Sequence, residues 1–394
     1  ATTWRALQEG VSGAALITKF DAASFPVRFA CEVKGFDPLK FMERKEAKRA
    51  DVYTQYAVTA AVEAMADAGL SQGGYDVDRT GVIVGSGIGG LKIFEEQHDL
   101  YRERGPSKIS PFFIPMFIAD IAAGVVSMRF NARGPNYATV SACSTSAHAI
   151  GDAFRTIQYG DADIMIAGGA EAAVTPMSIA GFANMTALSE RNDSPATASR
   201  PFDKNRDGFV MGEGAGIVIL EELGHALARG ARIYGEIVGY RATGDAYHLT
   251  GQLPEHEGLQ RAMRGAMADA GLTPADVDYV NAHGTSTPLN DSNEAKAIAI
   301  VFGEDASRIS ISSTKSMTGH MLGAAGGVEF IAATLALRDQ VVPPTINYCV
   351  PDPACGDLDF TPNTLKRREV RAVLSNSAGF GGHNVSLVVQ RYTE

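Results

Sequence analysis

Three side chains in this sequence have the types and the small-residue surroundings that nucleophilic and hydrogen-bonding chemistry needs. Cys143 stands in "VSACSTSAHAIGDAFRTIQYG", residues 140–160, among alanine, serine and threonine. It follows a strand-like run and opens a helix-like one. Ligands of α/β sheets bind beyond the carboxyl ends of strands. A thiol at a helix N-terminus feels the positive end of the dipole, which favours thiolate. Ala142, Ser144, Thr145 and Ser146 leave room for a substrate. Against this, free cysteines are often buried and inert. His283 in "NAHGTSTPLND" and His320 in "TKSMTGHMLGAAGG" each lie past a strand-like run, beside glycine, serine and threonine. The remaining histidines are weaker candidates. His98, His225 and His256 sit in charged stretches and read as surface residues, His148 follows on the Cys143 helix, and His248 and His383 lie in loops. Lys315 and Glu329 flank His320 in sequence and can hold its protonation state if they pair beside it. An ordinary surface ion pair is the plain alternative. The stretch "SNSAGFGGHN", 375–384, is a strand end with a glycine turn of the kind that offers backbone N–H groups to an oxyanion.

These residues need a scaffold, and the apolar periodicity supplies one. Strands are predicted at 80–87, 137–142, 162–169, 214–222, 232–243, 277–282, 308–313, 371–377 and 385–390. A helix is predicted over 144–159, with Ala147, Ile150, Ala153, Phe154 and Ile157 on one face, and another over 257–270, stopped by Gly271. Strands interleaved with helices mean an α/β protein with mainly parallel, helix-covered sheets. An internal echo joins "ATVSACSTSAHAIGDAFRTI" to "ISISSTKSMTGHMLGAAGGVEFIAATLAL": each is a strand, a short polar turn and a small-residue helix.

Composition limits the function classes. The 394 residues are 45% hydrophobic and 20% charged, the profile of a folded chain long enough for two halves. The net charge of −10 with no basic tail argues against nucleic acid. Four cysteines, at 31, 143, 349 and 355, are too few and scattered for a disulfide framework, no Cys/His spacing suits structural zinc, and a reducing compartment follows. No apolar run reaches membrane-span length. Within this acidic chain "RKEAKR", 44–49, is a basic cluster: a solvated helix end, or a docking patch for an acidic partner.

Five stretches in order, "SACSTSAHAIGDA", "RPFDKNRDGFVMGEGAG", "NAHGTSTPLND", "SSTKSMTGHMLGAAGG" and "SNSAGFGGHN", resemble the β-ketoacyl-[acyl-carrier-protein] synthases of type I/II, most of all type II. The resemblance implies a thiolase-like α/β fold, two duplicated halves in a five-layer αβαβα sandwich, divided at 1–230 and 231–394, and a homodimer. It implies that Cys143 accepts an acyl chain and that His283 and His320 bond the enolate left when malonyl-acyl carrier protein loses CO2. It implies that Lys315 and Glu329 support His320, and that the N–H groups of Cys143 and Phe380 form an oxyanion hole. Thr285 and Thr287 would contact pantetheine. Ile88 and Phe182 would line the acyl pocket, with Phe380 as gate and Gly381 beside it. Lys45, Lys48 and Arg49 would dock acyl carrier protein. No metal and no separate cofactor are implied, since acyl groups arrive on the carrier's phosphopantetheine. The expected compartment is a bacterial cytoplasm or an organelle matrix or stroma.

Two departures stand out. The family pattern has a strand and a "TG-G--SP-G"-like segment ahead of the helix at "TTWRALQEG", so residues preceding Ala1 are expected. Ala378 stands where phenylalanine is common, predicting altered gating or acyl-length preference. A thiolase would need a second cysteine by the glycine loop, a synthase III-type initiator asparagine at 320, and a chain-length factor would lack Cys143. A cysteine hydrolase leaves the two histidine motifs unexplained. A polyketide-type ketosynthase uses the same residues and remains the alternative.

Overall fold

The computed structural model describes residues 2–393. Its first sheet contains β1 (Thr80–Gly85), β2 (Asn136–Tyr137), β3 (Ile164–Glu171) and β4 (Gly214–Glu221), ordered β2-β1-β3-β4. The second contains β5 (Glu236–Gly244), β6 (Tyr279–Asn281), β7 (Ser310–Ser312), β8 (Ala372–Gly379) and β9 (His383–Gln390), ordered β5-β9-β8-β6-β7. In each sheet three neighbouring strands are parallel and the next, β4 or β9, is antiparallel. Matching the orders equates β2 with β7, β1 with β6, β3 with β8 and β4 with β9. β5 extends the second sheet beyond β9. The free edge of β4 faces a groove of about 1420 Å³ walled by Trp4, Tyr234, Ile237 and Leu335 among others, which none of the candidate catalytic side chains lines.

The principal helices are α1 (Thr2–Gln8), α2 (Val52–Asp67), α3 (Ile121–Phe130), α4 (Thr145–Gln158), α5 (Pro176–Asn184), α6 (Glu257–Asp269), α7 (Pro288–Phe302) and α8 (Ala325–Asp339). Strand periodicity explains how they stack. Alternate residues point to opposite faces, so Ile83 of β1 enters a central core with Ala147, Ile150 and Phe154 of α4, whereas Val82 and Val84 enter an outer core with Tyr53, Ala57 and Val126. In the second sheet Val373 faces the centre and Leu374 the outer core with Leu259, Met263 and Ile298. With both faces covered, the strands read as nearly continuous apolar runs. The layers are α2 and α3, the first sheet, α4 beside α8, the second sheet, and α6 and α7: the five-layer αβαβα sandwich.

One predicted strand is far shorter than its sequence suggests. The run 137–142 is paired only at Asn136–Tyr137. Beyond it, the Ser141 N–H donates to Thr145 Oγ1 (2.9 Å) and Thr139 Oγ1 donates to the Thr145 carbonyl (2.8 Å). These local side-chain bonds replace the ladder and bend the chain into a tight turn, Ala142–Ser144, ahead of α4. Ala142 takes φ 51° there, and Leu322 takes φ 45° in the corresponding turn, Leu322–Ala324, ahead of α8. The sequence echo is therefore a structural duplication in which the counterpart of Cys143 is Gly323.

Candidate active site

The two left-handed turns meet at the boundary between the halves. Cys143 and Leu322 share an apolar cluster with Val174 and Phe209, with Ile88 and Phe182 packed against it. The thiol is buried, and burial works against the thiolate expectation. Burial pushes Cys143 up to about 12, against the pull of Lys315, while Glu171 and Glu329 push it further. Desolvation and the helix terminus act on this thiol in opposite directions.

The glycine loop lies against this turn. A Cβ added to Gly379 would stand 2.7 Å from the Ser141 carbonyl oxygen and 3.2 Å from the Cys143 nitrogen, so only glycine allows the approach. Ser144 Oγ donates to the His383 carbonyl (2.8 Å), stitching the loop to the start of α4. On its other side the Gly381 N–H donates to the Leu249 carbonyl (2.8 Å), the Asp245 N–H to the Gly382 carbonyl (3.0 Å), and Asn384 Nδ2 to Asp245 (2.6 Å). Among the described residues, neither the Cys143 N–H nor the Phe380 N–H donates to a backbone carbonyl. Ala378 is buried in β8, opposite Asn384 of β9.

His283 and His320 are brought together, ring centroids 5.3 Å apart and nearly perpendicular. The N–H groups of His283 and Gly284 both donate to the Glu294 carboxylate (2.8 Å each), which fixes the turn after β6. The His320 N–H donates to the Val210 carbonyl (2.7 Å) and its own carbonyl accepts from Gly212 (2.9 Å), anchoring it to "GFVMGEG". Burial, reinforced by the Lys315 ammonium, holds both imidazoles well below the ordinary histidine range. Both are neutral at pH 7, with one N–H each to give.

Lys315 and Glu329 form a buried ion pair, but its placement differs from expectation. Lys315 Nζ donates to the His283 carbonyl (2.7 Å) and lies 3.4 Å from His283 Nδ1. The pair therefore supports His283 directly, and reaches His320 through its field. An ammonium facing Nδ1 makes that nitrogen the acceptor and leaves the proton on Nε2. A line of rings runs on from here: His320 to Phe209 (5.3 Å), Phe209 to Phe182 (5.4 Å) and Phe182 to Phe380 (6.5 Å). It carries the site from the imidazole pair to the half-exposed tip of the glycine loop. Thr285 and Thr287 share a hydroxyl–hydroxyl bond (2.9 Å) beside His283.

Other expectations need adjustment. His256, read as a surface residue, is fully buried, with neither ring nitrogen bonded among the described residues. Its flanking Glu255 and Glu257 face solvent while a φ of 51° turns the chain at the start of α6. His148 donates to or accepts from Ser141 Oγ (2.7 Å) at the entrance to the Ala142–Ser144 turn. Phe209, Glu171 and Glu294 escaped sequence reasoning, although Phe209 lies within "GFVMGEG", Glu294 just past "HGTSTPLND", and Glu171 just past the predicted strand 162–169. Lys45, Lys48 and Arg49 are exposed, and the Arg49 guanidinium lies 4.2 Å from the centroid of the Phe112 ring. No helix among the described residues is long and apolar enough to cross a membrane.

The chain matches the family models "Beta-ketoacyl synthase, N-terminal domain" over residues 1–226 and "Beta-ketoacyl synthase, C-terminal domain" over 234–349. A 3-oxoacyl-[acyl-carrier-protein] synthase 2 from Synechocystis is 54% identical over 389 residues, covering 99% of this chain and 93% of the relative. A β-ketoacyl synthase structure from Burkholderia phymatum aligns with TM-score 0.92 and 36% identity, over 99% of this chain and 94% of the other. A type II polyketide ketosynthase solved with its acyl-carrier protein and bound to a hexaketide aligns with TM-score 0.90 and 36% identity, over the same shares. With a buried cysteine on a left-handed turn, two neutral imidazoles in edge contact and matches across both halves, the chain belongs to the β-ketoacyl synthase family.

Proposed function

We propose that this chain elongates acyl groups in fatty-acid synthesis by decarboxylative Claisen condensation, taking both substrates from acyl carrier protein. The observation that carries the reading is the pair of neutral imidazoles beside the Cys143 turn. An enolate oxygen is stabilised by N–H donors placed before the charge develops, each contributing roughly 3–4 kcal/mol. In the first step Cys143 Sγ attacks the acyl thioester carbonyl, the bond to pantetheine sulfur breaks, and the thiol proton leaves on that sulfur. A thiol near 12 makes proton loss concerted with attack in this reading. The Cys143 and Phe380 N–H groups receive the tetrahedral oxyanion. In the second step malonyl thioester loses CO2, and its enolate oxygen is held by His283 and His320. The enolate carbon then attacks the acyl-cysteine carbonyl. A C–C bond forms, the C–S bond breaks, and Cys143 takes one proton from solvent. The product is a β-ketoacyl thioester two carbons longer. Neither a metal nor a resident cofactor enters.

Thr285 and Thr287 are assigned to the pantetheine arm, Ile88 and Phe182 to the acyl pocket, and Gly381 to the loop that closes beside it. Lys45, Lys48 and Arg49, exposed in an acidic chain, suit an acidic carrier protein, and the carrier-bound structural relative supports this. A homodimer across β2 fits the exposed Met128, Tyr137 and Val140 around that short edge strand. The compartment is a bacterial cytoplasm or an organelle matrix.

Incubation with acyl- and malonyl-acyl carrier protein, followed by mass spectrometry, tests the reading. It requires an acyl adduct on Cys143 and a product extended by two carbons. CO2 release without extension, or an unmodified Cys143, refutes it. The polyketide alternative, favoured by the hexaketide-bound structural relative, predicts repeated extension without intervening keto reduction.

A further inference from the structure

Glu171, at the end of β3, is fully buried and belongs to none of the steps above. Its carboxylate accepts from Ser86 Oγ (2.8 Å), the Gly87 N–H (2.8 Å) and the Ile88 N–H (3.3 Å). Across the boundary between the halves it also accepts from the Gly323 N–H (2.9 Å). Three of these donors belong to the turn after β1, and the fourth to the left-handed turn after His320. The fit is close on both sides: a Cβ added to Gly87 would stand 2.8 Å from Glu171 Oε2, and one added to Gly323 2.7 Å from it. Ser86 Oγ also accepts from the Gly89 N–H (3.0 Å), so the whole 86–89 turn hangs on this carboxylate. From that turn Ile88 packs on the cluster holding Cys143 and Leu322, together with Phe182.

We propose that Glu171 is a positioning residue for acyl-chain selection, clamping the Ile88 turn to the Leu322–Ala324 turn and so fixing the wall of the acyl pocket. The proposal rests on the condensing reading. Its logic is geometric: two turns from different halves converge on one carboxylate, and both carry an apolar side chain into the space beside the nucleophile. Four donors on two oxygens leave little slack, and these bonds pull against the burial that pushes Glu171 up to about 7. An amide of the same shape would set its NH2 against an N–H donor and release one of the turns.

The test is Glu171→Gln, assayed for kcat and KM with octanoyl- and palmitoyl-acyl carrier protein, with malonyl-acyl carrier protein as extender. The palmitoyl-to-octanoyl ratio of kcat/KM is expected to change by about tenfold, the scale on which an apolar pocket discriminates chain length. KM for malonyl-acyl carrier protein should stay within about twofold. A ratio equal to that of the unsubstituted chain overturns the proposal, even if the overall rate falls, because a merely structural role lowers all lengths alike. Ser86→Ala removes one of the four donors to Glu171 together with the acceptor for the Gly89 N–H, and should move the ratio in the same direction by a smaller factor. An unmoved ratio in this variant also overturns the proposal. Failure of the unsubstituted chain to elongate any acyl group would overturn both this proposal and the condensing reading.

Discussion

Replacing Lys315 by methionine keeps the aliphatic stem and removes the ammonium. The structure fixes what is lost. Glu329 Oε1 loses its ion-pair partner, Oε2 already has no bonded partner among the described residues, and the His283 carbonyl loses a donor. Stranding one member of a buried pair costs about 3–5 kcal/mol. Burial already pushes the Glu329 carboxyl upward, and the Lys315 ammonium pulls it down. Without the lysine it rises further, and the carboxylate escapes part of its cost by taking a proton. The sign follows from linkage: a carboxyl with a raised folded-state pKa loses stability as pH climbs from its unfolded value through its folded one. Lys315→Met should therefore be destabilised more at pH 8 than at pH 6. The double variant Lys315→Met/Glu329→Gln should recover about 2 kcal/mol or more of the loss, since neither charge is stranded. Urea denaturation of both single variants and the double at the two pH values measures this. A loss independent of pH, with single effects that add within about 0.5 kcal/mol, refutes the stranded-charge argument. Decarboxylation of malonyl-acyl carrier protein, followed in parallel, should fall in Lys315→Met, because His283 loses the ammonium that fixes its tautomer.

Four further outcomes are expected. Alkylation of Cys143 by iodoacetamide should accelerate about tenfold per pH unit from pH 7 to 9 without a plateau, because thiolate is the reactive form and the thiol sits near 12; a plateau below pH 8 contradicts the burial argument. Stability should fall below pH 6.5 by about 1.4 kcal/mol per unit for each of His283 and His320, since both resist protonation when folded and accept it when unfolded; a flat stability curve from pH 7 to 5.5 counts against their neutral burial. Ala378→Phe crowds a buried hairpin position and should cost ~1–3 kcal/mol while altering the acyl-length profile. An unchanged profile removes Ala378 from the gating argument. Gly323→Ala would bring a Cβ within 2.3 Å of the Gly87 nitrogen, and calorimetry should show a loss of ~1–3 kcal/mol; a melting temperature equal to that of the unsubstituted chain would show that the two turns are free to separate.

What the sequence made legible was local. Ile83 against Val82 and Val84 obeys a two-residue period, and α4 presents the apolar face that its spacing predicts. Cys143, His283 and His320 stood out because small residues and strand ends mark them. The missing parts are long-range. Nothing near Glu171 announces that its fourth donor is Gly323, 152 positions away. Lys315 is nearest in sequence to His320, but the chain folds it back onto His283. The depth of His256 and the early end of β2 depend on which side chains win the competition for backbone and core.

The paired left-handed turns at Ala142 and Leu322 divide the labour between the halves. Both copies inherited the same strained bend before a central helix, a geometry that pushes the next residue toward the seam between them. In the first copy that residue is Cys143, and the bend delivers the thiol to which the condensing reading gives the acyl chain. In the second it is Gly323, and the space a side chain would occupy is taken by Gly87 and Glu171. The second bend therefore serves as the wall against which the first one works, while its half contributes imidazoles from elsewhere. Two equivalent bends thus build one asymmetric centre. Restoring a side chain at position 323 would crowd the existing centre before it created another.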